Sequence, residues 1–140
     1  MENQVSCVVL LLVLAGAAYE DLKEKRIHVF IPVGAAAIGL LLHLLWRQRT
    51  FGDVLLGMAV GVAVLLPAVL GRGSIGAGDG MILAACGIFL GFWANLTLLM
   101  TALMFAGMAA LFLLVIKRKG RNYRMPFVPF LLAAYLFGLL

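Results

Sequence analysis

The chain carries six acidic side chains among its 140 residues: Glu2, Glu20, Asp21, Glu24, Asp53 and Asp79. Two of them stand where chemistry is possible. Asp21 follows an uncharged stretch over residues 3–19, and Asp79 immediately precedes a 37-residue uncharged stretch over residues 80–116. Two further apolar stretches, 29–46 and 54–71, separate them. If each of these crosses a bilayer, the chain goes out and returns, and Asp21 and Asp79 lie at the same membrane face. Two carboxylates a few ångströms apart cannot both ionise cheaply, so such a pair holds one proton between its members. The ionised member can activate water for attack on a peptide carbonyl, while the protonated one can donate to the developing oxyanion and later to the amine. That chemistry needs no metal and no cofactor. The sequence offers no His/Cys/Glu cluster at ligand spacing, and Cys7 and Cys86 lie apart, each inside an apolar stretch.

Each aspartate also has a blander reading. Asp21 could be a charge at the membrane edge paired with Lys25 or Arg26, and Asp79 could cap the first turn of a helix. The segment before Asp79 favours chemistry: five of the ten residues 71–80 are glycine. Gly76, Ala77, Gly78 and Gly80 would leave bare backbone beside an acid, room for an extended peptide to approach. A phosphate loop is excluded because its Lys-Ser/Thr is missing and Asp79 would repel the anion. The other acids are weaker candidates. Glu2 is terminal, Asp53 opens the third stretch on the opposite side, and Glu24 lies between Lys23 and Lys25 as a solvated charge. Glu20 points about 100° away from Asp21 on a helix.

The elements that must position the pair follow from composition. Hydrophobic residues make up 65% of the chain and charged residues 12%, far from the roughly half and quarter of a soluble domain. A soluble enzyme, a disordered tail and a disulfide scaffold are excluded, and the lipid bilayer is the first partner. The stretches 3–19, 29–46, 54–71 and 125–140 each suit one span. Residues 80–116 would make one helix of about 55 Å, too long for a single crossing of about 30 Å. A break at Phe92-Trp93-Ala94-Asn95, read as an interfacial aromatic and polar cluster, gives a short fourth span and a fifth ending near Ile116. Six spans with both termini outside place nine of the eleven basic residues in the cytoplasmic connections and only Arg47 and Arg49 outside, as the positive-inside rule requires. The basic run from Lys117 to Arg124 thus sets topology and meets anionic lipid, and nucleic acid is not a partner. The expectation is an all-α polytopic bundle of about six transmembrane helices, N-out and C-out. It forms one membrane domain over residues 1–140, whose N-terminus lacks the basic start of a cleaved signal and is retained. Gly57-x-x-x-Gly61 and Gly87-x-x-x-Gly91 would allow close helix packing, and no feature assigns an oligomeric state.

At this point the sequence resembles the type IV prepilin peptidases, the bacterial members of the GxGD intramembrane aspartyl proteases. The resemblance rests on Asp21 after an apolar helix, on Gly76-Ala77-Gly78-Asp79 after the third, and on Pro126-Phe127-Val128-Pro129-Phe130-Leu131 heading the last. It implies that Asp21 and Asp79 are the catalytic pair. It also implies a prepilin or pseudopilin substrate, cut behind a basic leader at the cytoplasmic membrane face. Two positions depart from the family pattern: His28-Val29 replaces Pro-Asn after Ile27, and Met81 stands where lysine is common. The cysteine-bearing insert that accompanies N-methylation in longer members has no counterpart here. The likeness is to the short members associated with tight-adherence pili, which implies cleavage without methylation. Two other classes remain: a proton-coupled carrier using the same aspartates, which would want carboxylates at mid-membrane, and a non-catalytic membrane scaffold, indifferent to their removal.

Overall fold

The computed structural model describes residues 2–46, 49–70, 76–116 and 125–139. These form helices α1 (Glu2–Glu24), α2 (Phe30–Trp46), α3 (Phe51–Val69), α4 (Ala77–Val115) and α5 (Val128–Leu139). There are no strands among the described residues. Helices α1, α3 and α4 are long and apolar enough to cross a membrane, and α2 and α5 are shorter apolar helices. Many large apolar side chains, among them Phe30, Leu44 and Val115, face outward. A water-soluble fold would bury them, so lipid is the solvent this surface fits. The chain is an all-α membrane protein. The connections that carry Arg47, Arg72 and the basic residues of 117–124, on which the orientation expectation rests, lie outside the described residues, as do Gly71 and Gly73.

Helix α4 is two helices joined at Gly91, which has φ 73° and ψ −173°. A side chain at that φ is strained and glycine is not. Along a straight helix Leu83 and Asn95 would be about 18 Å apart. Instead the Asn95 side-chain amide donates to the Leu83 carbonyl at 3.0 Å, so the second half of α4 folds back on the first. The break lies one residue before the expected aromatic cluster. It is held by Asp53 of α3, whose carboxylate accepts the Phe92 amide at 2.9 Å and the Arg49 guanidinium at 3.2 Å. Asp53 thus supplies the cap that the second half needs for its first free N–H. Trp93 is exposed, as an interfacial anchor would be, but Asn95 is not interfacial. It is fully buried, and its amide also donates to the Gly57 carbonyl at 2.9 Å. Burial without those two partners would cost more than the side chain returns.

The two glycine pairs noted in the sequence meet each other. A Cβ on Gly57 would lie 2.5 Å from the Gly87 carbonyl oxygen, and one on Gly87 would overlap the Gly57 backbone. Gly61 faces the Ala84 backbone in the same way, and Gly80 would place a Cβ 2.8 Å from Leu65 Cα. Helix α3 and the first half of α4 therefore touch backbone to backbone along their length. In lipid this is how dispersion contacts accumulate between helices without a hydrophobic driving force. Around this pair one core joins Leu10, Leu14 and Ala17 of α1, Leu98 and Ala102 of the second half of α4, and Val128 and Leu131 of α5. Pro32 sits in the first turn of α2, where a missing N–H costs nothing.

Candidate active site

Asp21 lies in the last turn of α1, where the pattern of buried Leu10, Leu14, Ala17 and Ala18 carries its side chain inward. It is 6% exposed. The chain then leaves the helix at Lys25, which takes a left-handed φ of 51° and so ends α1 in the way glycine commonly does. This turn sends Ile27 against Gly78, where a Cβ would come within 2.8 Å of Ile27 Cβ. Asp79 is 8% exposed and occupies the first turn of α4. The out-and-back path of α2 and α3 returns the chain to the end of α1, and Asp79 falls within electrostatic reach of Asp21.

Residues 71–75 of the glycine segment lie outside the described residues, and the remainder opens a helix. Helix α4 begins at Ala77 with Gly76 as its N-cap, so Gly78, Asp79 and Gly80 are already helical. Gly78 and Gly80 lie against Ile27 and Leu65, whereas Gly76 and Ala77 are exposed. Asp79 also performs its blander task. Its carboxylate accepts the Gly76 amide at 3.2 Å while its own amide donates to the Gly76 carbonyl at 3.1 Å, which satisfies two end groups of the helix.

Asp21 has a partner that the reading of the sequence missed. Its Oδ2 accepts the Val128 amide at 3.0 Å. The local sequence explains why this donor is available. Pro126 and Pro129 carry no N–H, and Phe127 ends its own commitments by accepting the Phe130 and Leu131 amides. In 126–129 only Phe127 and Val128 have amide protons to give, and that of Val128 goes to Asp21. The carboxylate thus caps α5 from another helix, across 107 residues of chain. Phe127 and Val128 are buried beside it.

Neighbouring polar residues stand apart from the pair. His28 is exposed, its Nδ1 3.2 Å from Glu20 and its Nε2 3.7 Å from Glu24. Glu20 therefore points away from Asp21, and Glu24 shares a loop histidine. His43 lines a pocket with Arg49 and Asp53, away from both aspartates. Among the described residues no group of three or more His, Cys, Asp or Glu could hold a metal ion. The arrangement sets two shielded carboxylates beside exposed helix-start backbone. No significant match to a curated protein or to a solved structure was found. The sequence model of the type IV leader peptidase family does match, over residues 8–140; the chain belongs to that family and is a membrane protease of this kind.

Proposed function

We propose that the chain is an aspartic endopeptidase that removes the basic leader of type IV prepilins or pseudopilins, with Asp21 and Asp79 as its catalytic pair. One observation carries the reading: two buried carboxylates, 58 positions apart in the sequence, stand at the end of α1 and the start of α4, which meet where Ile27 packs against Gly78, in a chain of the leader peptidase family. One carboxylate takes a proton from water as the water oxygen bonds to the scissile carbonyl carbon, and the other gives its proton to the carbonyl oxygen. When the tetrahedral intermediate collapses, the first returns its proton to the departing amine nitrogen as the C–N bond breaks. The second recovers a proton from the geminal hydroxyl. Water is consumed, an acid and an amine leave, and the pair regains its single proton.

The substrate reading follows from position. Both aspartates lie at helix ends, so a leader cut there would leave its apolar helix in the bilayer. Six spans, N-out and C-out, place that end at the cytoplasmic face of a bacterial inner membrane. Exposed Gly76 and Ala77 offer the backbone along which the substrate strand would lie. Cleavage without N-methylation fits a sequence with two cysteines, both within helices, and a five-residue connection between α1 and α2. Co-expression with a candidate prepilin tests the reading. Wild type should shorten the precursor on a gel, and Asp21→Asn or Asp79→Asn should each leave it full length. Full processing by either variant would leave a non-catalytic role for that aspartate.

A further inference from the structure

We propose that two backbone amides, those of Val128 and Gly76, are positioning groups for the hydrolysis: each clamps Oδ2 of one aspartate and leaves Oδ1 to react. This rests on the catalytic reading above and adds what holds the two carboxylates in place.

A carboxylate on a rotatable stem keeps a reacting geometry only when a further contact fixes it. Asp21 and Asp79 achieve this in the same way from different settings. Asp21 stands at the end of α1, and its Oδ2 accepts the Val128 amide at 3.0 Å. Asp79 stands in the first turn of α4, and its Oδ2 accepts the Gly76 amide at 3.2 Å. Both donors belong to helix starts, α5 in one case and α4 in the other. The first N–H groups of a helix have no partner within it, so these amides are given away without breaking a turn. A backbone donor also has no rotamer of its own. Each bond therefore ties one carboxylate oxygen to the frame of a helix.

The surroundings suit the task at each position. Gly76 has φ −69°, which any residue adopts, so its backbone does not require glycine. A Cβ there would instead stand 3.3 Å from Asp79 Oδ2 and crowd the oxygen that the amide holds. At the other clamp Asp21 and Val128 are both buried, so water has little access to the bond. Val128 lies 107 positions from Asp21, and this clamp closes only when α5 is docked on α1. The Tyr135 hydroxyl pins the same two helices farther along, donating to the Cys7 carbonyl at 3.2 Å. With Oδ2 held at each aspartate, the proton transfers run through Oδ1. The Gly76 N–H is spent on Asp79 and is not a donor to the substrate strand.

Proline removes an amide proton and alanine keeps it. Val128→Pro against Val128→Ala, and Gly76→Pro against Gly76→Ala, therefore isolate each N–H. Position 128 opens a helix, where proline is accommodated, and φ at position 76 already suits proline. The assay is cleavage of a candidate prepilin by the chain in detergent micelles, with thermal unfolding as the check on folding. Each proline variant should have kcat about 10-fold or more below its alanine counterpart, because a misplacement of about 1 Å at reacting groups can cost about 100-fold. KM should stay within about threefold, the mark of an interaction that serves the chemical step. A folded proline variant as fast as its alanine counterpart, or one with raised KM and unchanged kcat, would overturn the clamp at that position. Hydrogen exchange at single amides, followed by NMR, tests the bonds without proline. Asp21→Ala should speed exchange about 10-fold or more at Val128 and leave Gly76 unchanged, and Asp79→Ala should do the reverse. An amide indifferent to its own aspartate would overturn the proposal whether or not the proline variants fold. Failure of the catalytic reading looks different: wild type would then process no prepilin, while the exchange pattern persisted.

Discussion

The backbone contact between α3 and α4 makes a quantitative prediction. In Gly87→Ala the new methyl overlaps the Gly57 carbonyl group. Carbon atoms pack at about 3.5–4.0 Å, so the helices must part by about 1 Å or more, and neither side can yield because the obstacle is backbone. Overpacking of this kind costs about 1–3 kcal/mol. The functional effect should be larger, because the first half of α4 carries Asp79, two turns from Gly87. A misplacement of about 1 Å at reacting groups can lower a rate about 100-fold. Gly16→Ala and Gly107→Ala are the matched controls, since a Cβ at either meets nothing within 4 Å. The assay is paired: prepilin cleavage rate, and thermal unfolding of the purified protein in one detergent. Gly87→Ala should lower both and the controls neither. Gly107→Ala as damaging as Gly87→Ala, or Gly87→Ala with full activity and stability, would refute the close approach of α3 and α4.

Other consequences follow from single contacts. Gly91→Ala forces a left-handed φ on a residue with a side chain and crowds Asp53. It should lower stability by about 1–3 kcal/mol, read in the same unfolding assay against Gly107→Ala. Asp53→Leu deprives the second half of α4 of its cap and Arg49 of its partner. A loss of about 1 kcal/mol is expected, with cleavage reduced less than in Asp21→Asn. His28→Ala removes only an exposed pair with Glu20 and Glu24, so stability should change by less than about 0.5 kcal/mol and cleavage by no more than a few-fold. Because the chemistry is assigned to two carboxylates, saturating EDTA should leave the cleavage rate unchanged. A rate restored by added zinc after chelation would count against the assignment.

The parts of this molecule legible in the sequence are those written in residue type and spacing. Asp21 and Asp79 stood out because charge is rare in so apolar a chain, and two apolar stretches between them suggested a common face. The length of 80–116 demanded a break, but its place was read from Phe92 to Asn95, the conspicuous side chains. The deciding features are the backbone of Gly91 and a carboxylate 38 positions earlier in the sequence, Asp53, which looked like a mere span opener. Asn95 was misread for the same reason: a polar side chain at a boundary suggests an interface unless its carbonyl partners are known. The glycines around Asp79 suggested room for a substrate strand, and the sequence could not show that Ile27 and Leu65 lie against Gly78 and Gly80. The Val128 amide is a backbone group and leaves no side-chain signature.

The central claim is that Asp21 and Asp79 face each other, and cross-linking tests it most directly. Asp21→Cys and Asp79→Cys would be combined in a chain with Cys7 and Cys86 changed to serine and a protease site inserted within 71–75. After treatment with a short bifunctional methanethiosulfonate reagent and cleavage at that site, the account predicts that the two fragments stay joined until a reductant is added. Fragments that separate despite modification of both cysteines would contradict it.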